Sequence, residues 1–252
     1  MIRSERHDAV LLLTIDRTER RNALNGQLCE DLRVALADAG AARAVVITGA
    51  GSAFCAGADL VTRFGADGDG EDTFRPAFEV TLDAIAAHPV PVIAAVNGPA
   101  MGAGMQLAVA CDLRVAAPSA RFAIPGGRLG IHLSARNIWR LAQLLGQGAA
   151  RDFLLAGRTV DAEVAERIGL VQYRADDALT AALALAADIA ASAPLTVQGH
   201  KRALDLIAEA QWLGERDRAE ITTRELEAFA SEDLREGMAA FAEKRSPRFT
   251  GR

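Results

Sequence analysis

Two stretches, 54-FCAGADL-60 and 95-AVNGPAMGAGM-105, decide how this chain reads. Each overlaps or follows an apolar run of strand length, 43-RAVVITG-49 and 91-PVIAAVN-97, and each consists mostly of Gly, Ala and other small residues. The second runs on into 105-MQLAVA-110, which reads as a helix behind a tight turn. Open α/β sheets place ligand loops at the carboxyl ends of their strands, where both stretches fall. Small residues let the backbone approach a ligand closely, and they equally permit close helix–strand packing. Neither stretch is a dinucleotide fingerprint: Gly49-Ala50-Gly51 has Phe54 where a third glycine is needed, and Gly98, Gly102 and Gly104 do not form GxGxxG.

Outward from these stretches the pattern is α/β. Residues 9–15 form a strand-length apolar run, 26–39 a helix with Leu28, Leu32 and Leu36 on one face, and 73–87 another helix. An acidic, glycine-dotted segment from Gly65 to Asp72 reads as a surface loop. CDLRVAA and ARFAIPG supply two short strands, and from Ser134 helical periodicity dominates, interrupted by Gly146, Gly157, Gly169 and Pro194. No repeat of fixed period is evident. The expected organisation is an α/β core over 1–190 and a helical segment over 191–252.

Composition narrows the function classes. At 252 residues, half of them hydrophobic, the chain can bury roughly three quarters of its unfolded surface. With only 5% aromatic residues, the core is expected to consist of small aliphatic side chains. A formal charge of −5 argues against binding nucleic acid or an anionic membrane surface, so any anionic ligand must be held by local cations. Cys29, Cys55 and Cys111 are odd in number, far apart and without a CxxC, which indicates neither disulfides nor a metal site. The N-terminus shows no secretory h-region and no apolar run is long enough to span a membrane, so a reducing cytoplasm is the expected compartment.

The two opening stretches, together with ERRNALN at 19–25, CDLRVAAPSARFAIPGGRLGI at 111–131 and FAEKRSPRFTG at 241–251, resemble the crotonase, or enoyl-CoA hydratase/isomerase, superfamily over essentially the whole chain. The resemblance implies a spiral of β-β-α units with a C-terminal helical trimerisation segment, trimers pairing into hexamers. It implies fatty-acid or lipid metabolism and an acyl-CoA or enoyl-CoA ligand, the coenzyme A thioester being substrate rather than a separate cofactor. The thioester oxygen would lie in an oxyanion hole formed by the backbone N–H groups of Ala58 and Ala103, where enolate-like charge develops. Coenzyme A contacts would come from Arg20, Ala23, Leu24, Ala56, Asp59, Phe241 and Lys244. Cations do concentrate at Arg17, Arg20 and Arg21, and over the last twelve residues, whose net charge is +3. Ordinary surface charge is the plainer account of any one of them.

The resemblance fails at the acid–base pair. Family hydratases carry two glutamates, and here those positions hold Gln106 and Gly126. An amide exchanges no proton at neutral pH and glycine has no side chain. The helix start at 132–136, where family isomerases carry a carboxylate, has none; His132 is the nearest titratable group, and also an ordinary polar packing residue. The loop acids Asp67, Asp69, Glu71 and Asp72 are further candidates for proton transfer, or simply a solvated face. Asp59 and Asp112 read as structural, and Cys55 as a buried small residue. Three readings follow: a lyase-class hydratase or isomerase with substitute acid–base groups, a non-catalytic acyl-CoA binder or carrier, or another enolate-type reaction such as isomerisation, thioester hydrolysis or C–C cleavage.

Overall fold

Strands Val10–Ile15 (β2), Ala44–Gly49 (β3) and Val92–Val96 (β4) are buried at every position. Runs covered on both faces carry no polar alternation, and they pair in parallel. A computed structural model describes residues 1–60, 73–210, 212 and 214–251. In it Leu113–Ala116 (β6) and Tyr173–Arg174 (β9) extend the sheet beyond β4, also in parallel, and Ile2–His7 (β1) pairs antiparallel with β2. The order is β1-β2-β3-β4-β6-β9. A second sheet holds the short strands Ala100–Met101 (β5), Arg121–Ala123 (β7) and Val160–Asp161 (β8). Parallel bridges at Leu24–Ala58 and Cys55–Ala100 place residues 24 and 55–58 beside it.

The chain therefore winds as a spiral. Successive turns give one strand to the large sheet, a short extended piece to the small one, and a helix: β2, Leu24, then Gly26–Ala37 (α1); β3, 55–58, then Phe74–Ala86 (α2); β4, β5, then Ala103–Ala110 (α3); β6, β7, then Ala135–Leu155 (α4). Ala162–Arg167 (α5), Ala178–Ala191 (α6), Pro194–Glu209 (α7), Glu215–Ala230 (α8) and Glu232–Glu243 (α9) complete the chain. The crotonase-type α/β spiral read from the motifs is the fold observed. The turns span unequal lengths of sequence, which is why no fixed period was visible.

One face of the large sheet packs on α1, α2 and α3 through Leu11, Leu13, Val45, Ile47, Leu32 and Leu82. The other carries Val10, Leu12, Val46, Ile93 and Val115 against Ala178, Ala182, Ala186 and Ala190 of α6. Alanine at every fourth position lets this helix lie close to the strands. Arg114, fully buried in β6, donates to the carbonyls of Leu170, Ala108, Cys111 and Asp112 and to Gln172 Oε1, and burial pushes its pKa down to about 10. Asp112 does bridge backbone, as read: it accepts from the Val92 N–H at 2.7 Å and pairs with Lys201, tying α7 to the core.

One feature departed from the sequence reading. β1 lies at the sheet edge with its residues mostly exposed, so its charged sequence carries none of the apolar alternation that marks a strand. α4 is broken at Gly146, one of the interruptions expected from the sequence, where φ of 72° and ψ of 167° are not helical.

Candidate functional site

The segment 54–58 is held by its neighbours on both sides. The Cys55 N–H donates to Pro99 O at 3.1 Å and Cys55 O accepts from the Met101 N–H at 2.9 Å; the Leu24 N–H donates to Gly57 O at 2.8 Å and Leu24 O accepts from the Asp59 N–H at 2.7 Å. Gly104, in the first turn of α3, packs directly on this segment: a Cβ there would stand 2.2 Å from Cys55 O. The two motif stretches are thus in contact, and the contact needs glycine.

This arrangement brings Ala58 and Ala103 to one cavity of about 130 Å³. Among the described residues neither the Ala58 N–H nor the Ala103 N–H donates to a protein acceptor. Ala103 is the first residue of α3, where an unbonded N–H and the positive end of the helix dipole both favour an anion. Two free donors converging on one cavity are what an oxyanion hole requires.

Gln106, Gly126 and His132 line the same cavity. Gln106 makes no side-chain hydrogen bond among the described residues. The His132 Nδ1 lies 2.6 Å from Leu133 O, a carbonyl that can only accept, so Nδ1–H donates there. Gly126 is a built-in feature: its carbonyl accepts from the Ile131 N–H at 2.9 Å, and a Cβ on it would stand 2.5 Å from Ile131 O. The backbone of this turn occupies the space that a side chain at 126 would enter. A second cavity of about 410 Å³ shares Ile124, Gly126, Ile131, His132 and Leu133 as lining.

Four polar or charged residues of the first cavity escaped the sequence reading: Arg75 and Glu79 on α2, Asn137 on α4 and Glu225 on α8. Glu79 Oε1 accepts from Ser134 Oγ at 2.9 Å and from Asn137 Nδ2 at 2.7 Å. Asn137 Oδ1 in turn accepts from Arg140 Nη1 at 2.9 Å, and Arg140 pairs with Asp83. The start of α4, which has no carboxylate in sequence, receives one from α2. Burial raises the Glu79 pKa above the ordinary carboxylate range, against the hydrogen bond from Ser134 and the charge of Arg140. Glu225 is buried and pairs with Arg75 at 3.1 Å, and the Arg75 guanidinium lies 5.3 Å from the Phe229 ring centre. Phe229 lines the cavity as well. The loop acids Asp67, Asp69, Glu71 and Asp72, with Leu213 of the tail, lie outside the described residues.

The residues expected to meet coenzyme A sit in several settings. Ala23 and Leu24 are buried, and Arg20 and Ala56 are exposed. Asp59 is buried and pairs with Arg17 at 2.7 Å, so this cation of the 17–21 cluster is neutralised within the chain. Asn22 holds the cluster's turn in place, donating to Ala50 O and Ala53 O at 2.8 and 2.7 Å. Phe241 and Lys244 are exposed, while Arg245 pairs with Glu236 and Glu243. The C-terminal cation cluster is therefore partly cancelled in place. Cys55 is fully buried, which pushes its thiol up to about 12, and no nucleophilic thiolate forms there.

A sequence profile of the enoyl-CoA hydratase/isomerase family matches residues 5–252. A relative from Mycobacterium tuberculosis described as probable enoyl-CoA hydratase echA6 is 43% identical over 256 residues, covering all of both chains. Among solved structures, carnitinyl-CoA hydratase from Mycobacterium avium superposes with a TM-score of 0.86 at 37% identity, covering 100% of this chain and 98% of that one. An enoyl-CoA hydratase/isomerase from Pseudoalteromonas atlantica does so with a TM-score of 0.86 at 34% identity and 99% coverage of each. With motifs, fold and the paired free N–H groups in agreement, this chain belongs to the crotonase, or enoyl-CoA hydratase/isomerase, superfamily.

Proposed function

We propose that the protein binds an acyl-CoA or enoyl-CoA thioester of fatty-acid or lipid metabolism and is a poor hydratase. The observation that carries this reading is the pair of unbonded N–H groups at Ala58 and Ala103, which would hold the thioester oxygen. Water addition needs one group to activate the water and another to protonate the α-carbon; Gln106 and Gly126 supply neither, and each missing partner costs about 10²–10⁴ in rate. Arg20, Arg21, Lys244 and Arg248 are exposed and make no ion pair among the described residues, so they are the cations offered to the coenzyme's phosphates. A non-catalytic binder or carrier is the limiting form of this reading.

The exposed apolar residues Leu204, Ile207 and Leu226 on α7 and α8 favour assembly as a homotrimer or a pair of trimers, which would remove them from water. Cytoplasmic location belongs to the same reading; among the described residues no single helix is long and apolar enough to cross a membrane.

Two measurements test it together. Calorimetry with saturated acyl-CoA should show binding, whereas hydration of 2-enoyl-CoA should proceed at a small fraction of a two-glutamate hydratase's rate. Absence of binding at high micromolar ligand, or hydration at the full rate of such an enzyme, overturns the proposal.

A further inference from the structure

We propose that Glu79 is the acid–base residue of this site, exchanging a proton with the acyl portion of a thioester polarised at Ala58 and Ala103. The inference rests on the thioester-binding reading above. Glu79 lines the cavity that contains both N–H groups, although it lies in no motif. Its Oε1 takes the hydrogen bonds from Ser134 and Asn137; Oε2 accepts none among the described residues. One carboxyl oxygen is anchored and the other is left for a ligand.

The charged and titratable groups around it come from three elements. α2 contributes Arg75 and Asp83, α4 and the turn before it Arg140 and His132, and α8 Glu225. Arg75 is paired with Glu225 and Arg140 with Asp83, so both nearby cations have carboxylate partners other than Glu79. Burial raises this carboxyl above its ordinary value, which makes it a better proton acceptor than a solvated carboxylate, as a general base requires.

The step is balanced without a co-reactant. The Glu79 carboxylate takes a proton from an acyl carbon conjugated with the thioester: the C–H bond breaks, an O–H bond forms on Glu79, and the electron pair moves to the thioester oxygen as an enolate held by the two N–H groups. Return of the proton to the same carbon restores the ligand. Return to a carbon two positions along an unsaturated chain moves the double bond. Neither outcome needs the water-activating pair that the chain lacks.

Proton NMR in D2O with a saturated acyl-CoA and a 3-enoyl-CoA tests this. The protein should catalyse loss of α-proton signal or migration of the double bond. Glu79→Gln, which keeps an oxygen for Ser134 and Asn137, should lower that rate by about 10²–10⁴ while retaining acyl-CoA binding. Glu79→Asp should recover part of the loss, and the wild-type rate should rise with pH through a midpoint above the ordinary carboxylate range. Equal rates in wild type and Glu79→Gln overturn the proposal, as does exchange that survives in Glu79→Gln but is lost in His132→Gln. Binding without any exchange by the wild type overturns it too and leaves the binder reading intact, whereas absence of binding removes both.

Discussion

The two sides of the cavity are built in opposite ways. The side with Ala58 and Ala103, where the proposed function puts the thioester, is made of backbone: the 54–58 and 99–104 segments hydrogen-bond to each other, touch at Gly104, and present two N–H groups with no side chain involved. The side with Glu79 is made of side chains from distant elements, with Glu79 of α2 held by Ser134 and Asn137, 55 and 58 residues further along. Backbone donors cost no rotamer entropy and need no titration, so the first side is preorganised at any pH. The second side depends on protonation and on tertiary contacts, so it is where chemistry can be lost or moved while binding survives.

The sharpest way to break this comparison is to remove a backbone donor. Ala103→Pro deletes an N–H at the first helical position, where proline's ring suits the helix. It should lower any enolate-forming rate by about 10²–10³, or about 3–4 kcal/mol, with the helix preserved by circular dichroism.

Restoring the family's carboxylates should fail on the other side. In Gly126→Glu the new Cβ meets Ile131 O, so overpacking should cost about 1–3 kcal/mol in urea unfolding. The double change with Gln106→Glu should still not gain efficient hydration. A stable double variant with restored turnover would show that the turn at 126–131 yields more readily than its geometry indicates.

A smaller effect comes from Ser134, which caps α4 and also donates to Glu79. Ser134→Ala should cost about 1 kcal/mol as a lost cap. Because the lost hydrogen bond favoured the charged carboxylate, the midpoint of the pH–rate profile should move upward. Stability follows the same group: a carboxyl whose folded pKa is raised binds its proton more tightly when folded. Its contribution is complete below the unfolded value and is lost as pH rises through the folded one. Urea midpoints measured across that window should fall with pH in wild type, and less so in Glu79→Gln.

The smallest effect is expected at Cys55. Its thiol, pushed up to about 12 and fully buried, should resist alkylation in the folded protein at neutral pH, as read by mass spectrometry. Rapid modification would show that the 54–58 segment opens readily.

The two small-residue segments were legible because each is short and contiguous; the role proposed for them lies in the main chain, so order along the sequence nearly suffices. Asp112 and Cys55 were legible for similar local reasons. Glu79 was not. In the sequence it is one polar residue in a helix whose apolar face is Phe74, Phe78, Leu82 and Ile85, and only its position beside Phe78 on the cavity edge distinguishes it. The basic clusters were legible only in part, for the converse reason: Arg17 and Arg245 look free in sequence, but Asp59, Glu236 and Glu243 meet them in the fold.

The sequence by itself determined the superfamily and the spiral core, and it singled out Ala58, Ala103, Gln106 and Gly126, on which the proposed function rests. These follow from local composition, strand-exit position and residue identity. Only the tertiary structure decided that the Gly126 turn has no room for a side chain, that Phe229 faces the cavity, and that a carboxylate from α2 stands at the start of α4. Each of those depends on atoms brought together across many residues, where burial and hydrogen bonding, rather than residue type, set what a group can do.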